Sequence, residues 1–171
     1  MIQSLSTRLS RLASGLATLA MVAMFAMFIY GVTMRHLFDR PQTWVDEAVT
    51  LTATWLVFWA GAFVLKWPEY ISFDVVYRLV SPAGQRAMVM LGAAGFVAII
   101  AASIYGIVDY VMFMKISTTD MMGLRLDRVY SIFVVFLVAI AIRLLILLAR
   151  LAFGNWRAVL SSLDATPEEV L

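Results

Sequence analysis

Apolar residues fall in four long, nearly continuous runs, and polar residues gather between them. The runs cover about 12–34, 44–66, 85–113 and 129–151. Transmembrane strands would alternate polar and apolar with a period of two. These runs do not alternate, and each holds the roughly 20 residues that an α-helix needs to cross a bilayer. They predict four transmembrane helices.

The segments around the runs predict the rest. Leu5, Leu9, Leu12 and Leu16 recur at helical spacing among Ser and Arg, as in a short amphipathic lead-in at a membrane surface. The first run continues through Phe25, Phe28, Ile29 and Tyr30 to Arg35. That outlasts the roughly 7–15 apolar residues of a signal peptide, so a retained span is expected. Pro68 closes the second run, and residues 69–80 are too short and too charged to span. There Phe73, Val76, Tyr77 and Val80 form a stripe, with Asp74 and Arg78 opposite, which predicts an interfacial helix lying flat. Ser81-Pro82 reads as an N-cap followed by Pro at the first helical position. A helix from there to about Met114 exceeds the hydrocarbon thickness, so it must tilt or protrude. Its Gly92, Ala93, Gly95, Ala98, Ala102 and Gly106 suit close packing. Lys115–Arg128 is a polar loop that turns at Gly123, and residues after Gly154 predict a short surface helix and a disordered end. The fold class is therefore all-α integral membrane protein: four transmembrane helices plus a short interfacial amphipathic helix, in a single membrane domain over residues 1–171.

Composition agrees and removes chemistry. The 171 residues are 63% apolar, against roughly half in soluble domains. There is no Cys, which excludes disulfides, thiolate catalysis and Fe–S ligation. The single His36 has no companions for a zinc site. Thirteen basic residues against eleven acidic ones is too even a balance for nucleic-acid binding. The eleven Met residues are spread as adaptable packing. Basic residues near the span ends divide unequally. Arg8, Arg11, Lys66, Arg78, Arg86, Arg143, Arg150 and Arg157 lie on one side; Arg35, Arg40, Lys115, Arg125 and Arg128 lie on the other. The positive-inside rule then places both termini in the cytoplasm. Arg143 and Arg150, seven apart, are expected to snorkel to head groups.

The richest stretch is Arg35 to Asp74. At 100° per residue, Glu47, Thr50, Leu51, Thr54, Phe58 and Gly61 share one face, flanked by Trp44, Trp55 and Ala62. Hydroxyl and small residues there predict close helix approach and cross-helix hydrogen bonds. Glu47 suits the helix N-terminus or a charged partner, and Arg35 suits a pair with Asp46 or Glu47. Trp44 and Trp67 fit an interfacial belt, but Trp55 and Trp59 lie at mid-depth, where a bundle or partner surface explains them.

Those residues carry a family likeness. Arg35, Phe38, Pro41, Trp44, Glu47, Trp55, Phe58 and Gly61-Ala62, in that order, followed by Tyr70, Ile71 and Asp74, resemble the small membrane subunit of tripartite ATP-independent periplasmic (TRAP) transporters, the DctQ-like family. Tyr70 stands where the family usually has His, and Phe73 where it has Val. Gly123-Leu124 and Tyr130 continue the likeness. The resemblance implies a non-catalytic scaffold subunit of a sodium-driven, binding-protein-dependent transporter for small organic anions. Its implied partners are a large elevator-type membrane subunit, a periplasmic substrate-binding protein and membrane lipids, with no nucleic acid. It implies a bacterial inner-membrane location and no cofactor, the sodium ions binding the large subunit. The expected partner or bundle interface is Arg35, Phe38, Trp44, Glu47, Thr50, Thr54, Trp55, Phe58, Gly61 and Ala62, with Tyr70, Ile71 and Asp74 in the interfacial segment. The rival reading is an autonomous small homo-oligomeric carrier or proton-coupled exporter, which would depend on Glu47. A membrane enzyme lacks a nucleophile–base set.

Overall fold

The computed structural model describes residues 2–65, 77 and 79–164. Helix α1 runs unbroken over Ile2–His36, so the expected lead-in and first span are one helix. Asp39 adopts a left-handed backbone, φ 51°, that turns the chain, and the Arg40 N–H reaches back to the Met34 carbonyl. Helix α2, Thr43–Trp59, follows. It continues as a π-helix over Ala60–Val64. Helix α3 spans Pro82–Phe113 and ends in a 3-10 turn at Met114–Ile116. Helix α4 spans Leu126–Phe153 and a short α5 spans Trp156–Asp164. Among the described residues, four helical stretches are long and apolar enough to cross a membrane: Ser10–His36, Thr43–Val64, Pro82–Ile116 and Leu126–Phe153. Among the described residues the only β-type pairing is an isolated bridge, Thr118 with Arg125.

The start of α3 follows the local chemistry. The Ser81 hydroxyl accepts the Gly84 N–H at 3.4 Å, three residues on, and Pro82 is the first helical residue.

The chain divides into two compact units. The first comprises Met1–Val64 and Gly106–Phe136. Here α1 lies along α2. Val45, 1% exposed, sits against Gly31 of α1, where a side chain would meet its methyl carbon. The Trp59 indole N–H donates to the Ala13 carbonyl at 3.1 Å. Ala13 lies at the start of α1's apolar run and Trp59 ends α2, so this bond ties those two ends together. On another side of α2, Phe58 meets Phe133 and Phe136 of α4 with ring centroids 5.3 and 5.4 Å apart. Such tilted aromatic pairs each contribute about 0.5–1.5 kcal/mol beyond burial.

The second unit comprises Leu65–Tyr105 and Leu137–Leu171. Its core is Leu147 and Leu151 of α4 with Leu160 of α5, joined by Val89 and Met90 of α3. Trp156, Val159 and Leu163 complete α5's apolar face. These residues recur at three and four, so the short helix docks on one stripe. The Arg143 guanidinium donates to the Leu65 carbonyl at 2.6 Å. That corrects the expectation of snorkelling for Arg143, because a freed backbone carbonyl beyond the π-helix is a better acceptor than distant water.

Of the small residues of α3, Ala93 is buried as close packing requires, while the glycines stand apart. Apart from α3's own nearby backbone and the chain neighbours, no described heavy atom lies within 4 Å of where a Cβ would stand at Gly92, Gly95 or Gly106. The expected interfacial helix over 69–80, with Tyr70, Ile71 and Asp74, lies outside the described residues apart from Tyr77, Leu79 and Val80. The tail beyond Asp164 lies outside them too.

Candidate partner surface and the first-loop cluster

The residues singled out above sit at the start and along the sides of α2. At its start, Arg35 of α1 donates to the Asp46 carboxylate at 2.7 Å. Both side chains are exposed, so the pair sets the geometry of the turn more than it adds stability. Trp44 leans on Tyr30 with ring centroids 6.3 Å apart and donates its indole N–H to the Gln42 side chain. Phe38 is exposed in the turn between α1 and α2.

Glu47 does something that helix position alone did not suggest. Its carboxylate accepts the Met121 N–H at 2.7 Å and the Met122 N–H at 3.1 Å. The Thr119 side chain hydrogen-bonds it as well. The loop it grips is a compact hairpin. Thr119 N–H donates to the Leu124 carbonyl, the Leu124 N–H donates to the Thr119 hydroxyl, and Gly123 closes the turn at φ +64°. That backbone is open to Gly and strained for a residue with a side chain. Thr43 of α2 points its hydroxyl at the Met121 sulfur, 3.4 Å away. The outcome is one carboxylate that fastens the α3–α4 loop near the start of α2. Met121, Met122 and Leu124 remain exposed on this loop.

Deeper in α2, the threonines behave differently from expectation. Thr50, Thr52 and Thr54 donate to the carbonyls of Asp46, Ala48 and Thr50 in their own helix. The expected cross-helix bonds are replaced by these local ones, because an i−4 carbonyl is always within reach of a helical hydroxyl. Each threonine then offers a methyl-bearing, hydrogen-bond-satisfied surface. Close approach is made instead by Gly61 and Ala62, both buried in the π-helix. A Cβ at Gly61 would stand 2.8 Å from the Phe136 ring.

Trp55 is not used inside the chain in the same way. It is 43% exposed. It edges an open groove of about 400 Å³ between α1 and α2, lined also by Leu16, Ala20, Leu51 and Trp59. Arg35, Trp44 and Glu47 are thus brought together at one end of α2. Phe58, Gly61 and Ala62 are brought together further along, and Trp55 faces outward. Sequence reasoning missed the loop partner of Glu47, which lies more than seventy residues away. Its only available signal was the turn at Gly123, which names a hairpin without naming what it docks on.

Four apolar crossing helices, with polar groups bonded at helix starts, loops and their own backbones, define a multi-pass α-helical membrane protein. Residues 24–154 match the family model described as tripartite ATP-independent periplasmic transporters, DctQ component. The match covers well over half of the chain, and the protein belongs to that family. It is a small membrane component of a TRAP transporter. A comparison with curated proteins gives no match.

Proposed function

We infer that this chain is the scaffold subunit of a sodium-driven TRAP transporter for small organic anions. It holds a large elevator-type membrane subunit in the bilayer, while a periplasmic binding protein delivers the substrate. Sodium binds the large subunit, and this chain needs no cofactor. It sits in the bacterial inner membrane with both termini in the cytoplasm, as the basic residues at the span ends indicate.

The observation that carries the reading is the outward-facing surface of α2 beside the groove it forms with α1. Two sides of α2 are occupied, by α1 and by α4. Trp55, at mid-depth, stays exposed at the edge of the groove. A large aromatic ring at that depth gains most from packing against another helix, since an interfacial position is not what places it. The open flank at Gly92 and Gly95 of α3 supports a second area of close helix approach. Glu47, which an autonomous proton-coupled carrier would need free, is bonded to three groups of the α3–α4 loop.

The test is co-purification with the large subunit. Trp55→Ala should reduce recovery of the complex while the isolated chain keeps its helical content. Unchanged recovery would remove this surface from the interface.

A further inference from the structure

We propose that the basic corner where α3 begins and α4 ends binds the phosphate group of an anionic phospholipid through Arg86 and Arg157, with Trp156 between their roles as ring and anchor. The inference does not depend on the scaffold reading.

Arg86 stands one turn into α3. It reaches the Ala152 carbonyl near the end of α4 only at 3.5 Å. Its guanidinium carbon lies 5.4 Å from the centroid of the Trp156 ring, and that of Arg157 lies 5.2 Å from the same ring. The Arg86 Nε is buried and has no hydrogen-bond partner among the described residues. Among the described residues no carboxylate pairs with Arg86, Arg150 or Arg157; both ion pairs described, Arg35–Asp46 and Arg125–Asp127, lie in the first unit.

Two guanidinium groups beside one ring concentrate positive charge at this corner, and an anion there would offset it. An arginine offers five N–H donors in a planar fork, and a phosphate accepts two of them side by side. The Trp156 ring holds each cation near it through the attraction of its π-face. The corner is also built on packed elements. Leu160 of α5 is buried against Leu147 and Leu151 of α4, which fixes Trp156 and Arg157 relative to the α4 end.

Depth selects the source of the phosphate. Arg86 lies at the start of the apolar stretch Pro82–Ile116, and Trp156 follows the end of Leu126–Phe153. That is the level of lipid head groups, where basic pockets between helices hold anionic lipids. Phe153, next in the chain to the Ala152 carbonyl, is exposed and offers apolar surface to an acyl chain.

The experiment is native mass spectrometry of the full chain in detergent, titrated with phosphatidylglycerol, with phosphatidylcholine, and with inorganic phosphate. Wild type should retain phosphatidylglycerol in preference to phosphatidylcholine. Arg157 is exposed, so R157Q leaves the packing intact. R157Q should weaken phosphatidylglycerol binding about fivefold, and R86Q/R157Q about 25-fold. R35Q, which removes an equal charge from the first unit, should leave it unchanged. If R86Q/R157Q does not fold, R157Q alone decides. Equal retention by R157Q and wild type would overturn the proposal. So would displacement of the lipid by millimolar inorganic phosphate, which would make the ligand a free anion.

Discussion

Gly61→Ala should destabilise the chain, and the sign of its effect should reverse when Phe136 is also replaced by Ala. An added Cβ would lie 2.8, 3.5 and 3.8 Å from three atoms of the Phe136 ring. Ordinary carbon contacts begin near 3.5 Å, so the ring must retreat by roughly 0.7 Å. Phe136 cannot move freely, because Phe58 holds it with centroids 5.4 Å apart. Overpacking of this kind costs about 1–3 kcal/mol. Replacing Gly by Ala in a helix recovers about 1 kcal/mol of propensity. The net cost should therefore be about 0–2 kcal/mol. In the Phe136→Ala background the clash is gone and only the propensity gain remains, so Gly61→Ala should then stabilise by up to about 1 kcal/mol. The assay is unfolding of the full chain in micelles, followed by helical circular dichroism, for both single variants and the double variant. An equal cost of Gly61→Ala in both backgrounds would refute the packing assigned to α2 and α4.

Glu47→Ala should speed hydrogen exchange at the Met121 and Met122 amides, whose N–H groups lose their acceptor; exchange no faster than in wild type would remove the clamp. The same change should weaken assembly with the large subunit more than it alters substrate affinity, measured by co-purification beside binding titrations of the complex. Trp59→Phe deletes the donor to the Ala13 carbonyl and should cost about 0.5–1.5 kcal/mol in the same unfolding assay, with a smaller value showing that packing alone holds α1. Leu151→Ala removes a side chain that is 0% exposed. It should cost about 2–5 kcal/mol, and limited proteolysis should then cut between α4 and α5 sooner than in wild type.

The four helices were legible because each apolar run is long and unalternating, and periodicity is a local signal. Ser81 and Pro82 were legible for the same reason, since a cap needs only its next three residues. The Arg35–Asp46 pair spans one short turn, within reach of sequence reasoning. Contacts that close over long separations were not legible. Nothing local to Glu47 points to Met121, and nothing local to Arg143 points to Leu65. The threonines misled because composition reports a hydroxyl without reporting its acceptor. The π-helix at Ala60–Val64 was also hidden, since no local residue pattern marks a single widened turn within an apolar run. Residues Tyr70, Ile71 and Asp74, which carry the end of the family likeness, lie outside the described residues.

The most direct measurement is substrate uptake into sodium-loaded and sodium-free liposomes holding this chain, its large partner subunit, or both, with the binding protein supplied outside. The account predicts no flux through vesicles that carry this chain by itself, and sodium-dependent flux once both membrane subunits are present. Solute movement through vesicles containing only this polypeptide would contradict it.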